Sequence, residues 1–250
     1  MKPVIFFDID ETLYFKYGYP NNLTQIQDAI AKMKNTGFKF GLCTQRPFDD
    51  FVKNLADIYG INSYIISEGG ACIYEKNYAY GKVFGWNNLV KSLNSQVKEL
   101  ITAYLRKEKI ITPVVIDCKF DCEDIVYLNK FREETSTIRL PRALQFLVND
   151  LIYYLKTNPQ LTNYNISQDP YSSLKINIVP LGLSKVVTIQ KFIEGNSILI
   201  TDYESEKTPH DTRLEVYSVG NNSDFNNYCN KVYSPGGEGI IKILKEKESL

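Results

Sequence analysis

The sequence predicts an α/β protein built on a parallel sheet, with a second, smaller α+β unit inserted into it. Three observations carry that expectation. Short, wholly apolar runs alternate with amphipathic segments of helix length in the first and last parts of the chain. That rhythm breaks after Ser67 and resumes at Gly182, and the stretch between mixes longer helices with strand-like segments. Asp8, Thr44 and Asp202 stand at the ends of three of the apolar runs, and open parallel sheets bind ligands outside the carboxyl ends of their strands.

Residues 4–7 are apolar throughout and lead into acidic residues, the pattern of a strand buried on both faces. Residues 22–36 read as a helix, because Ile26, Ala29, Ile30 and Met33 share one face and Gly37 follows as a stop. Residues 38–43 form the next strand. A helix at 48–59 brings Phe51, Leu55 and Ile58 into register before Gly60, and residues 64–66 give a third strand. Such alternation implies right-handed crossovers and a parallel sheet. Glu68-Gly69-Gly70-Ala71 then makes a turn into a hairpin of residues 72–74 and 81–84.

A long helix is expected at 87–108, carrying Leu89, Leu93, Val97, Leu100 and Leu105. Strands follow at 112–117 and 125–129, a helix at 141–156, and strands at 164–167 and 174–179, read as antiparallel. After Gly182 come a helix at 184–193, strands at 198–200, 215–219 and 231–233, and a closing helix at 238–247. The division is residues 1–82 with 181–250 for the main domain and 83–180 for the insertion.

At 250 residues the chain can hold a core of ordinary size and a second unit. Lys and Arg total 29 against 29 Asp and Glu, so no overall field draws nucleic acid or an anionic membrane. No apolar run approaches the roughly 20 residues of a membrane span. The apolar start, residues 1–7, is too short for a signal peptide. Five scattered cysteines without a CxxC pair, beside a single His, argue against a zinc site. Reduced thiols in a cytoplasmic protein are expected.

Asp8 and Asp10 are two residues apart where the first strand ends, so they could share a cation while keeping distinct tasks. An acidic turn capping a helix is the ordinary reading of the same residues. Thr44, followed by Gln45, Arg46 and Pro47, ends the second strand. Its hydroxyl and the next N–H could hold a phosphate oxygen, with Arg46 on substrate or on an acid; a helix cap is the alternative. Lys185 opens a helix, where the dipole disfavours a cation unless an anion is bound nearby. A solvated surface lysine is the commoner fate. Asp202 ends the 198–200 strand and Glu206 lies four residues on, in what could equally be an acidic loop. His210 reads as a solvent-facing loop residue. As a set, nucleophile, acids, hydroxyl and cation at one sheet edge match phosphoryl transfer.

These segments resemble the haloacid dehalogenase superfamily, and within it the Cof-like phosphatases with a type IIB cap. Asp8-Ile9-Asp10-Glu11-Thr12-Leu13 is similar to its first motif, Thr44 to the second, Lys185 to the third and Asp202 to the fourth. Residues 66–71, 174–185, 218–221 and 233–240 resemble further family segments. The resemblance implies a Rossmann-like core with an inserted α+β cap that closes over the site. It implies that Asp8 forms an aspartyl-phosphate and that Asp10 acts as acid and then base. Thr44 and Lys185 would bind the phosphoryl group. Mg2+ would be held by Asp8, the Asp10 backbone carbonyl and Asp202, with Glu206 at the second acidic position. Gln45, Arg46 and Ser205 are further substrate-binding candidates, and Tyr127, Arg132, Arg139 and Arg142 are candidates in the cap.

The implied substrate is a small phosphorylated metabolite such as a sugar phosphate, with neither nucleic acid nor membrane as partner. The sequence departs from the family pattern in several places. Motif four usually reads Gly-Asp-x-x-Asn-Asp and here is Thr201-Asp202-Tyr203-Glu204-Ser205-Glu206. Gln45 replaces a common Gly, Gly69 a frequent Asn, and Val186 the Gly after the lysine. A phosphomutase of the same superfamily, or a silent member that only binds a phosphorylated ligand, are the alternatives. The altered fourth motif supports the second of these.

Overall fold

The computed structural model describes residues 2–61, 63–76, 80–86, 92–117, 124–170, 172–202, 213–220 and 229–249. It divides into two compact units, residues 1–84 with 183–250 and residues 85–182.

The first unit is built on an eight-stranded sheet. Its strands are β1 (Val4–Phe7), β2 (Lys39–Cys43), β3 (Tyr64–Ser67), β4 (Cys72–Lys76), β5 (Tyr80–Gly85), β11 (Ser197–Thr201), β12 (Leu214–Ser218) and β13 (Lys231–Val232). They lie in the order β13-β12-β11-β1-β2-β3-β4-β5. Pairings from β13 to β3 are parallel, and β3 pairs with β4 antiparallel. The chain moves from β1 outward to β2 on one side and later fills the other side with β11. That makes β1 a topological switch point, with a crevice beyond its carboxyl end.

Both faces of β1 are buried, and its alternation divides the core in two. Ile5 and Phe7 face one cluster with Ile26, Ile30 and Met33 of α1 (Leu23–Asn35), Val52 and Leu55 of α2 (Asp50–Ile58), and Ile240 and Ile243 of α6 (Gly237–Glu248). Val4 and Phe6 face the other cluster with Val186 and Ile189 of α5 (Lys185–Phe192). Each fully buried aliphatic or aromatic side chain contributes about 1.5–3 kcal/mol. Two such layers hold the strand ends in place.

Caps set the helix boundaries. The Asp49 carboxylate accepts from the Val52 N–H at 3.0 Å, so α2 begins at Asp50 rather than 48. Phe48, left outside the helix, stacks on Tyr74 with ring centroids 4.2 Å apart. Gly37 and Gly60 follow α1 and α2 with φ of 93° and 64°, as helix-ending glycines do.

The second unit has a five-stranded sheet in the order β6-β7-β8-β10-β9. The strands are β6 (Val114–Asp117), β7 (Val126–Asn129), β8 (Ser136–Arg139), β9 (Tyr164–Asp169) and β10 (Ser172–Pro180). Leu128, Ile138, Ile176 and Ile178 on one face pack with Val97 and Ile101 of α3 (Leu93–Lys107) and Leu151 and Leu155 of α4 (Val148–Lys156).

Three expectations need correction here. β6 runs parallel to β7, so the sheet is mixed rather than antiparallel throughout. The helix expected at 87–108 begins at Leu93, because the Ser92 hydroxyl caps it through the Ser95 N–H; residues 87–91 lie outside the described residues. The helix expected at 141–156 opens as a 3-10 segment, Arg142–Leu147. β8 was not anticipated. Ser136-Thr137-Ile138-Arg139 has one aliphatic residue, and its hydroxyls are buried against partners the sequence does not announce. Ser136 donates to Asn94 at 2.7 Å and Thr137 to Asn177 at 3.1 Å.

Among the described residues no helix is long and apolar enough to cross a membrane. Cys118 and Cys122 lie outside the described residues; Cys43 and Cys72 are buried and Cys229 is half-buried.

A close approach in the central sheet yields a test. A Cβ on Gly41 would sit 2.5 Å from the Phe6 ring and 2.9 Å from the Tyr64 carbonyl oxygen. The ring is enclosed and the carbonyl is backbone, so neither yields cheaply. Gly41→Ala is expected to lower stability by about 1–3 kcal/mol in urea unfolding, the usual cost of overpacking a dense core.

Candidate functional site

Asp8 follows β1 directly, and its N–H continues the ladder by donating to the Ile200 carbonyl at 2.9 Å. The residue is 6% exposed. Carboxylate Oδ1 accepts from the Ile9 N–H at 2.7 Å. Oδ2 accepts from Lys185 Nζ at 2.6 Å and from the Thr201 hydroxyl at 3.2 Å. β1, β11 and α5, far apart in sequence, thus meet on one carboxylate.

Lys185 is the first residue of α5 and is 1% exposed. The Ser184 side chain caps the helix by accepting from the Val187 N–H at 3.1 Å. A buried ammonium at a helix N-terminus is doubly unfavourable, through desolvation and through the dipole. The ion pair with Asp8 offsets both. The helix is held from below at Gly70, whose carbonyl accepts from the Thr188 hydroxyl at 2.9 Å. A Cβ on Gly70 would lie 2.5 Å from that hydroxyl and 2.7 Å from the Ser184 carbonyl oxygen. The close approach that places Lys185 therefore requires glycine there.

Thr44 continues β2 as Asp8 continues β1, donating its N–H to the Ile66 carbonyl at 2.9 Å, and it is fully buried. Its hydroxyl accepts from the Arg46 N–H at 3.1 Å. The Arg46 guanidinium grips Asp10 with two bonds, Nε to Oδ2 at 2.9 Å and Nη2 to Oδ1 at 2.7 Å. It also lies 4.6 Å over the Phe51 ring. The hydrogen bond to Asp10 holds the Arg46 pKa above its ordinary value. Of the two sequence readings of Arg46, partner of an acid is the one these contacts match.

Gln45 and Gly69 explain each other. A Cβ on Gly69 would meet the Gln45 side chain at 2.5 Å, and Gly69 has φ of 69°. The side-chain volume absent at 69 is supplied from 45. The two departures from the family pattern thus compensate.

Asp202 follows β11, partly buried, with the Thr12 hydroxyl 3.5 Å from Oδ1. Burial, and next the charge of Asp8, push its pKa up to about 7. Lys185 offsets part of this. Two mutually repelling carboxylates with hard oxygen donors suit Mg2+, which is commonly held by one or two carboxylates and waters. Among the described residues no group of three acidic, His or Cys side chains is assembled for a metal, so the fit rests on Asp8 and Asp202. Ser205, Glu206 and His210 lie outside the described residues.

Sequence reasoning did not single out Thr201, Thr12 or Thr188. Thr201 carried a usable signal, since a hydroxyl stands where the fourth motif ordinarily has glycine. Thr188 carried none, because its partner is a backbone carbonyl on a distant turn. Of the four substrate candidates in the second unit, Tyr127 is buried and pairs with Arg139 across β7 and β8. Both lie on the sheet face opposite Leu128 and Ile138. Arg132 donates to the Thr135 hydroxyl at 2.8 Å, and Arg142 is exposed.

A family model described as haloacid dehalogenase-like hydrolase matches residues 5–203. No curated protein matches the chain. Among solved structures, a haloacid dehalogenase-like hydrolase from Bacteroides thetaiotaomicron is similar with TM-score 0.71 and 13% identity, covering 98% of this chain and 99% of its own. A protein from Thermotoga maritima gives 0.66 and 13%, covering 98% and 97%. A subclass IIB sugar phosphatase of the superfamily gives 0.61 and 16%, covering 98% of each chain. At these identities the likeness is one of fold: a mainly parallel core sheet with a second, mixed sheet.

Were a cation held at this carboxylate, the raised Asp202 pKa would set a pH dependence for its binding. Its folded pKa lies above the ordinary value of 3.8, so it holds a proton up to pH near 7. A metal must displace that proton. Mg2+ affinity measured by calorimetry is expected to rise about tenfold per pH unit from pH 5 towards 7, then level off. A flat profile across that range would contradict the shift.

Proposed function

The chain belongs to the haloacid dehalogenase-like hydrolase family, and on that premise we propose that it hydrolyses a small phosphate monoester through an aspartyl-phosphate on Asp8. The observation that carries the reading is the buried Asp8 carboxylate held by Lys185 at 2.6 Å, with Asp202 close enough to feel its charge. Sugar phosphates are the favoured class, by analogy with subclass IIB sugar phosphatases of this fold.

Asp8 is the nucleophile. Lys185 aims it, donating to Oδ2 at 2.6 Å from a buried helix start. Lys185 and the Thr44 hydroxyl, with backbone N–H groups beyond β2, bind the phosphoryl oxygens and neutralise the charge that develops on them. Gln45 and Arg46 extend that edge of the site towards the substrate, and Ser205 is assigned there from the motif alone. Asp10 is the acid and base. It protonates the leaving oxygen and then takes the proton of the attacking water. In the described structure Arg46 grips Asp10 on both oxygens, so Asp10 acts as an acid only when that grip loosens. Mg2+ would be held by Asp8, the Asp10 backbone carbonyl and Asp202, with Glu206 assigned from the motif alone, and would supply charge neutralisation to the phosphoryl group. Tyr127 and Arg139 are candidates for recognising the rest of the substrate, together with Arg132 and Arg142.

The test uses an aryl phosphate with Mg2+ and measures inorganic phosphate. Asp8→Asn is expected to lose at least 10³-fold in kcat, because amide nitrogen and oxygen are poor nucleophiles. Asp10→Asn is expected to lose about 10²–10⁴-fold while still forming phosphoenzyme from a substrate with a good leaving group. Equal phosphate release by wild type and Asp8→Asn would end the proposal.

A further inference from the structure

Thr201 is fully buried at the end of β11 and donates to Asp8 Oδ2 at 3.2 Å, the same oxygen that Lys185 contacts at 2.6 Å. The fourth motif of the family usually has glycine at this point, which has no side chain to make this bond. The backbone fixes where the hydroxyl stands. Thr201 pairs in register with Ser218 of β12, and its carbonyl accepts from the Val219 N–H at 3.0 Å.

We infer that Thr201 is a positioning residue that speeds breakdown of the aspartyl-phosphate relative to its formation. The inference rests on the reading of Asp8 as nucleophile. Among the described residues Oδ2 accepts two bonds, from Lys185 and Thr201, while Oδ1 accepts one, from the Ile9 N–H. Oδ1 is therefore the less engaged oxygen and the one set to attack phosphorus, and Oδ2 becomes the carbonyl of the mixed anhydride.

The consequence is directional. While phosphorus is bound to Oδ1, Oδ2 carries less charge and both hydrogen bonds weaken. In the second step water attacks phosphorus and a new O–P bond forms. The P–Oδ1 bond breaks, its electron pair returns to the carboxylate, and the water proton passes to Asp10. Phosphate departs and charge reappears on Oδ2, where the Thr201 and Lys185 donors already stand. Donors on Oδ2 thus stabilise the free carboxylate over the anhydride. They make the carboxylate a better leaving group and a slightly weaker nucleophile. The pair also holds the Asp8 rotamer, since both donors come from buried, ordered elements.

The experiment is a rapid-quench measurement with a radiolabelled aryl phosphate, following label on the protein and its decay in a chase. Thr201→Val keeps shape and removes the donor. It is expected to slow phosphoenzyme decay about tenfold, the size of one hydrogen bond to a charged group, while formation is unchanged or faster. Phosphoenzyme should accumulate in the steady state, with kcat lowered and KM lowered with it. Thr201→Ser restores the hydroxyl and should restore decay. Thr201→Ala carries the same expectation as valine should the branched methyl not fit. Wild-type decay in the valine and alanine variants, or equal slowing in the serine variant, overturns the inference while a labelled wild type leaves the Asp8 reading standing. A wild type that never takes up label, like Asp8→Asn, overturns both.

Discussion

Everything at the sheet edge is arranged around one buried ion pair, Lys185 with Asp8 at 2.6 Å. Its side chains are 1% and 9% exposed, so both charges have lost nearly all their water. Such a pair is a poor source of stability, since the desolvation of two ions rivals their attraction. Putting the lysine at a helix N-terminus adds to the cost. The remaining structure holds the pair together anyway: the Ser184 cap, the Thr188 bond to Gly70, and the two hydrophobic layers that clamp β1. On the proposed reading, the lysine's positive charge would be left unbalanced once Asp8 took up a phosphoryl group.

The second tension is between carboxylates. Burial, and next the charge of Asp8, raise the proton affinity of Asp202, and Lys185 relieves only part of this. Asp10, two residues beyond Asp8, is gripped instead by Arg46 on both carboxylate oxygens. Three acids from the first and fourth motifs thus have three environments: one paired with lysine, one paired with arginine, and one partly buried with the Thr12 hydroxyl near its Oδ1. Distinct environments are how identical functional groups come to hold distinct tasks.

Glycines decide how closely these parts approach. Gly70 admits the start of α5, Gly41 admits the Phe6 ring, and Gly69 admits the Gln45 side chain. The last case shows why a motif departure need not be a defect. Gln45 and Gly69 each differ from the family pattern, and together they fill one space once.

Much of this was legible in the sequence, and the reasons are local. Apolar runs with 3.6- and 2-residue periods marked the core strands and helices, and residues 8, 44 and 202 at strand ends pointed to one edge of a parallel sheet. β8 was not legible, because its Ser136 and Thr137 are buried on side-chain hydrogen bonds to Asn94 and Asn177, which follow no hydrophobic period. The parallel pairing of β6 with β7 was not legible either, since a strand's own residues do not encode its neighbour's direction. Chain order and residue type alone determined which groups could reach the end of β1. Only the tertiary structure decided which of them touch: that Arg46 holds Asp10, that Thr201 shares Oδ2 with Lys185, and that Gly70 seats the helix. Those contacts join residues up to 193 positions apart, and at such separations it is the packing of buried layers, not sequence spacing, that sets distances to a fraction of an ångström.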